Sequence, residues 1–109
     1  MNCKTKLLTL VGVLLAAAVA HAGPGETFNK TCAKCHGEDG KGQTKVGQKL
    51  GCRDYTDAKV QADLKDDAAF KALKEGLKSD DGKTLMKPVE DLSDDDLKAL
   101  VAYVRTFKK

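Results

Sequence analysis

Cys32, Cys35 and His36 stand in the order Cys-Ala-Lys-Cys-His, and that spacing supports one particular chemistry. On a helix, sulfurs three residues apart share a face, so both can form thioethers to the vinyl groups of one porphyrin. The histidine that follows directly can place an imidazole nitrogen on the iron. Cys-x-x-Cys-His is the pattern that attaches a c-type haem covalently. Two other chemistries use Cys-x-x-Cys. A zinc site needs a second pair of ligands, for which only Cys52 and His36 offer themselves. A redox-active dithiol of the thioredoxin kind needs a strand-rich setting, yet the chain has no isoleucine and only scattered valines. The pattern favours haem.

The N-terminus has the layout of an export signal. Lys4 and Lys6 precede an apolar run from Leu7 to Ala20, and Ala20-His21-Ala22 supplies small residues for cleavage. The run of 14 residues, positions 7 to 20, is shorter than the ~20 a membrane span needs. Residues 1–22 are therefore expected to be a cleaved secretory signal peptide, with the bacterial periplasm as destination. Cys3 lies before the apolar run and is not placed for lipidation.

Removing the first 22 of 109 residues leaves 87, residues 23–109, as one domain. Lys4 and Lys6 depart with the signal, so 17 of the 19 Lys and Arg remain against 16 Asp and Glu, a net charge of +1. Two ionised propionates on a bound haem would bring this to about −1. No basic stripe with interleaved aromatics is present, which argues against nucleic acid as a partner. A chain this short is poor in apolar burial. A porphyrin disc would supply a centre for short helices to pack around, as metals or disulfides do in other small domains.

The same cleavage leaves Met86 as the sole methionine. A six-coordinate haem needs a ligand opposite His36. A thioether is soft, does not titrate near neutral pH, and with histidine gives a low-spin haem of raised potential. The competing reading of Met86 is a flexible residue filling a gap in the core.

Positioning these groups falls to short helices. The first starts near Pro24 and runs to the attachment motif, with Phe28, Cys32 and Cys35 on one face. Gly37 to Thr56 is glycine-rich without an apolar period and reads as an ordered loop on the His36 side. A short helix is expected around Asp57 to Leu64. Another is expected with Asp66 as N-cap and Phe70, Leu73 and Leu77 on one face, with Gly76 marking a close backbone approach. Ser79 to Asp91, which contains Met86 and Pro88, reads as a loop. In the last helix Ser93 is the N-cap and Asp94 to Asp96 suit the positive helix start. Leu92 and Leu97 form a staple, and Leu97, Leu100, Val101, Val104 and Phe107 make the apolar face.

Taken in order, these phrases resemble the small bacterial monohaem class I cytochromes c. The resemblance covers Glu26 to Lys109. It rests on Phe28 four before Cys32, on Cys32-Ala33-Lys34-Cys35-His36-Gly37, and on Phe70-Lys71-Ala72-Leu73-Lys74-Glu75-Gly76. Leu85-Met86-Lys87-Pro88 and Leu92-Ser93 leading to Leu100-Val101-Ala102-Tyr103-Val104 complete it. It implies an all-α fold of three to four short helices around one haem c, with first and last helices crossing and Phe28 meeting Leu100 and Tyr103. It also implies single-electron transfer as the function, with His36 and Met86 as axial ligands. Two features depart from the family pattern. Lys87 separates Met86 from Pro88, and no proline lies between Gly37 and Lys87, where relatives often have one whose carbonyl accepts from the free histidine nitrogen. Some other backbone carbonyl is expected to take that role.

The remaining signals are weaker. Cys52 reads as an inert half-buried thiol or as an intermolecular disulfide partner. Arg53 and Tyr55 could hydrogen-bond a propionate or simply occupy the surface. The leading expectation is an electron carrier, not an enzyme: a monomer serving periplasmic or membrane redox proteins, with no small-molecule substrate. The alternatives are a haem-bearing module of a larger periplasmic oxidoreductase, and a sensor or peroxidase with an open iron position.

Overall fold

A computed structural model describes residues 23–109 together with Gly12; the expected signal segment lies outside the described residues. Six helices and one small hairpin follow in order: α1 Pro24–Thr31, α2 Ala33–His36, α3 Lys45–Leu50, α4 Ala58–Asp63, α5 Asp66–Glu75, β1 Leu77–Lys78, β2 Thr84–Met86 and α6 Asp94–Arg105. Among the described residues, no helix is long and apolar enough to cross a membrane.

α6 forms where the sequence places it. The Ser93 hydroxyl accepts from the Asp96 amide while the Asp96 carboxylate accepts from the Ser93 amide, closing a capping box. Its apolar face buries Leu97, Leu100 and Val101. α1 lies across it: Phe28 is buried against Leu97 and Leu100, with ring centroids 5.4 Å from Tyr103 and 5.2 Å from Phe107. The crossing of first and last helices, and the meeting of Phe28 with Leu100 and Tyr103, are as the family resemblance implies. Phe28, Leu97, Leu100 and Val101 are the buried hydrophobic residues of the core. Half-buried Cys32, Phe70, Leu73, Val89 and Leu92 pack around its edge, so this small core keeps apolar surface for a further apolar body to cover.

Several expectations needed correcting. The first helix does not run unbroken through the motif. It pauses at Cys32, whose amide donates to the Phe28 carbonyl at 2.8 Å, and resumes at Ala33. The stretch from Gly37 to Thr56 is not all loop, because Thr44 caps a helix that ends at left-handed Gly51. At the start of α5 the N-cap position falls on Lys65, not Asp66, without a side-chain capping bond, and the helix stops at Glu75. Leu77 therefore leaves the helix to open a hairpin. The expected loop from Ser79 to Asp91 contains β2, which pairs antiparallel with β1 and sets Met86 opposite Leu77. Gly76 makes this turn possible. At φ +79°, a Cβ there would lie 2.6 Å from the Met86 carbonyl oxygen and 2.9 Å from Pro88 Cδ, a close approach only glycine permits.

Candidate functional site

Cys32 and Cys35 begin and nearly end one helical turn, with the Cys35 and His36 amides both donating to the Cys32 carbonyl at 3.2 and 3.0 Å. Both thiols are free and half-buried. Burial pushes the Cys32 thiol above its usual range, with Cys35 nearby adding to the effect. His36 follows at the end of α2 and is held from both sides. The Cys35 carbonyl accepts from the Thr44 hydroxyl at 2.7 Å, and the His36 carbonyl accepts from the Gly42 amide at 2.8 Å. Thr44 works twice, since its hydroxyl also accepts from the Gly47 amide at 2.9 Å to cap α3. Loop and helix therefore fold back on the motif and fix the two peptide groups that flank the imidazole.

Burial lowers the His36 pKa, which keeps the ring neutral and leaves one nitrogen lone pair free to bind a metal. The ring sits between aromatic neighbours, Phe28 at 6.3 Å and Tyr55 at 5.5 Å between centroids. Its Nδ1 is buried without a hydrogen-bond partner. The backbone carbonyl expected to accept from this nitrogen does not do so. Nearby carbonyls serve other donors: those of Cys35 and His36 accept from Thr44 and Gly42, and that of Gly40 accepts from the Tyr55 amide at 2.9 Å.

Met86 comes from a different part of the fold. It is half-buried at the end of β2 and is not among the apolar residues packed around Phe28. Motif and methionine thus sit on separate elements, α2 and the hairpin.

Of the weaker signals, Tyr55 is half-buried and faces His36, with burial raising its phenol pKa, so a plain surface role does not describe it. Arg53 is exposed. Cys52 is a free, half-buried thiol whose pKa is raised by burial and by Cys35 nearby. Sequence reasoning overlooked Gln61 and Arg105. Among the described residues, Gln61 is the one buried polar side chain. It bonds the carbonyls of Tyr55 and Val104, and Arg105 donates to both its main-chain and side-chain oxygens.

The donor set fits a covalently attached haem. It offers two free thiols on one helical turn, a neutral imidazole directly after them, and a soft thioether on a separate element. Among the described residues, no group of three or more His, Cys, Asp or Glu is arranged to hold a metal ion by itself. Two surface cavities lie elsewhere: one of about 330 Å³ beside Gly37 and Thr44, the other of about 500 Å³ between α5 and α6 beside Phe70 and Val101. Neither is lined by a thiol, His36 or Met86, so the chemistry of the donors locates the site better than cavity size does.

Comparison with known proteins gives the family of the chain. The family model described as cytochrome c oxidase, cbb3-type, subunit III matches residues 19–104. A solved structure named KustC0563 c-type cytochrome is similar at 34% identity, with a TM-score of 0.69, and the match covers 81% of this chain and 100% of that one. A second solved structure, of a Kustc0563 mutant, is similar at 34% identity, with a TM-score of 0.66, covering 80% of this chain and 100% of that one. No curated protein matches the chain.

Proposed function

We propose that this chain, which belongs to the cytochrome c family of the cbb3-type subunit III pattern and carries one c-type haem bound covalently through Cys32 and Cys35, is a soluble periplasmic carrier of single electrons. In this reading His36 and Met86 would hold the iron. The bound haem supplies a one-electron couple that no side chain of the protein offers. The protein's own residues do the rest. Cys32 and Cys35 fix the group covalently, and His36 presents a lone pair kept unprotonated by burial. Met86 offers a thioether that pH leaves unchanged.

The observation that carries the reading is the His36 environment. A half-buried imidazole with its Nδ1 buried directly follows two free thiols on one turn, and both flanking carbonyls are tied down. A main chain held on both sides of His36 suits an electron carrier, because the backbone there need not rearrange with the change in iron charge. Donor and acceptor are redox proteins of the periplasm or membrane, and residues 1–22 are the signal that brings the chain there. Visible spectra in both redox states, with a redox titration, test this. The expected result is a low-spin c-type spectrum and one electron per chain. A high-spin ferrous form that binds carbon monoxide at once would argue for an open iron position instead.

The family's description as an oxidase subunit favours a second reading, a haem-bearing subunit of a larger oxidoreductase. Native size separation of extracts followed by haem staining distinguishes the two. A carrier runs at the size of the single small domain, whereas a subunit runs with its complex.

A further inference from the structure

We propose that Gln61 is a positioning residue for the His36 imidazole, acting through Tyr55. The inference rests on the reading of His36 as an iron ligand and goes beyond it by naming what orients the ring.

His36 lacks the usual means of orientation. A metal-binding histidine ordinarily donates its second ring nitrogen to a fixed acceptor, which sets the plane of the ring. Here Nδ1 is buried without one. The two peptide groups around His36 are held, but bonds to the main chain do not stop the imidazole turning about its own side-chain torsions. Packing must do that, and the ring neighbours are Phe28 and Tyr55. Phe28 is locked in the core at 2% exposure. Tyr55 is closer, 5.5 Å between centroids, in a tilted contact with an interplanar angle of 31°. It lies on a segment outside any helix or strand, so its placement depends on specific bonds.

Those bonds are two. The Tyr55 amide donates to the Gly40 carbonyl at 2.9 Å, and the Tyr55 carbonyl accepts from Gln61 Nε2 at 2.7 Å. Gln61 is itself immobilised. Nε2 also donates to the Val104 carbonyl at 2.9 Å, while Oε1 accepts from Arg105 Nη1 at 3.0 Å. Turning the amide over would set its oxygen against two carbonyls and its NH₂ against a guanidinium, so only one orientation satisfies the site. Arg105 Nη1 also donates to the Gln61 main-chain oxygen at 2.6 Å, and its Nε and Nη2 hold Asp66 at 3.0 and 2.8 Å. A path of direct contacts therefore runs from the end of α6 through Arg105, Gln61 and Tyr55 to His36. A buried amide with every bond satisfied is a rigid part.

Gln61 could instead merely tie α4 to α6, and the test separates the two roles. Holoprotein variants Gln61→Met and Tyr55→Leu are compared with wild type by electron paramagnetic resonance of the ferric form, whose low-spin g values report the plane of the axial imidazole. Asp66→Asn serves as control, because it weakens the hold of Arg105 on α5 without touching Gln61 or Tyr55. Expected are displaced g values in both Gln61→Met and Tyr55→Leu, no further displacement in the double variant, and wild-type g values in Asp66→Asn. Tyr55→Phe, which keeps the ring, should retain the wild-type signal. If Gln61→Met does not fold, Tyr55→Leu against Tyr55→Phe reads the same contact from its other end. Wild-type g values in a folded Gln61→Met, or in Tyr55→Leu, overturn the inference while leaving His36 ligation intact. A wild-type haem that is not low-spin overturns the ligation reading and this inference with it.

Discussion

The Cα of Gly47 lies directly against the carbonyl oxygen of Cys35, so that a Cβ added there would overlap it and would meet the Gly42 carbonyl at 2.5 Å. Both obstacles are backbone, and the Cys35 carbonyl belongs to the attachment turn. Gly47→Ala is therefore expected to destabilise the protein by roughly 1 to 3 kcal/mol, the usual cost of overpacking, and to lower the yield of covalently attached haem. Gly51→Ala is the comparison: its φ is +71° but its surroundings are open, so only the left-handed penalty of about 1 kcal/mol applies. Thermal unfolding and haem staining of both variants check this. Equal losses in the two would show that the contact with Cys35 does not matter.

Met86→Ala should keep its covalent haem, become high-spin, bind carbon monoxide readily and fall in reduction potential, since a soft ligand is lost from one face. The hairpin itself should survive, because Gly76 and the main-chain pairing of Leu77 with Met86 do not need the side chain. A variant that stays low-spin at neutral pH without added ligands would assign the second ligand to another residue.

Acid should act partly through Asp54. Its carboxylate accepts from the Thr56 hydroxyl at 2.6 Å and the Thr56 amide at 2.9 Å, and these bonds hold its pKa below the usual carboxylate value. The stability such a group contributes is present above the unfolded pKa and is lost as pH falls through the folded one. Wild type should thus exceed Asp54→Asn by a constant margin at neutral pH, and the margin should shrink below about pH 4. Unfolding midpoints measured from about pH 7 down to about pH 2.5 test it. A margin unchanged across that range would rule out any contribution from this titration.

Cys52 is half-buried, and burial raises the pKa of its thiol, which disfavours attack on a disulfide. The protein should run as a monomer on a non-reducing gel, and Cys52→Ser should leave its migration unchanged. A dimer that collapses with reductant and is absent in the serine variant would establish intermolecular pairing.

Lys45, Lys49 and Arg53 are exposed on the segment after His36, and Lys83 and Lys87 are exposed on either side of Met86. Lys83 pairs with Asp81, as Asp66 and Asp94 pair with Arg105 and Lys74. The segments that carry the candidate ligands should present a positive field to partners, giving salt-dependent encounter despite near-zero net charge. In stopped-flow electron transfer at low ionic strength, a small anionic oxidant should react faster than a cationic one of equal driving force. Equal rates, or a faster cationic reagent, would refute it.

What could be read from the sequence was what a few consecutive residues determine. The Ser93 cap of α6 and its apolar residues Leu97, Leu100 and Val101 are local patterns and stand as read, while the helix read through the attachment motif breaks at Cys32. α3 left a faint local signature in Thr44, Val46, Leu50 and Gly51, obscured by the glycines around it. The hairpin had almost none, because strands of two and three residues carry no period. It exists because Gly76 turns the chain back on Met86. Gln61 was invisible for another reason. A glutamine in a short helix ordinarily faces water, and only carbonyls brought in from Tyr55 and Val104, with a guanidinium from Arg105, make its burial tolerable.

The crossing of α1 and α6 also orders events in time. Phe28 is made early and Leu100 late, so their contact cannot form until nearly all of the described chain has been synthesised. Cys32 and Cys35 belong to a turn that closes by itself, yet the apolar cluster that half-buries Cys32 waits for α6. Cys32 is therefore less covered before α6 docks than after it, and the last helix to be made is the one that closes over the first cysteine of the motif.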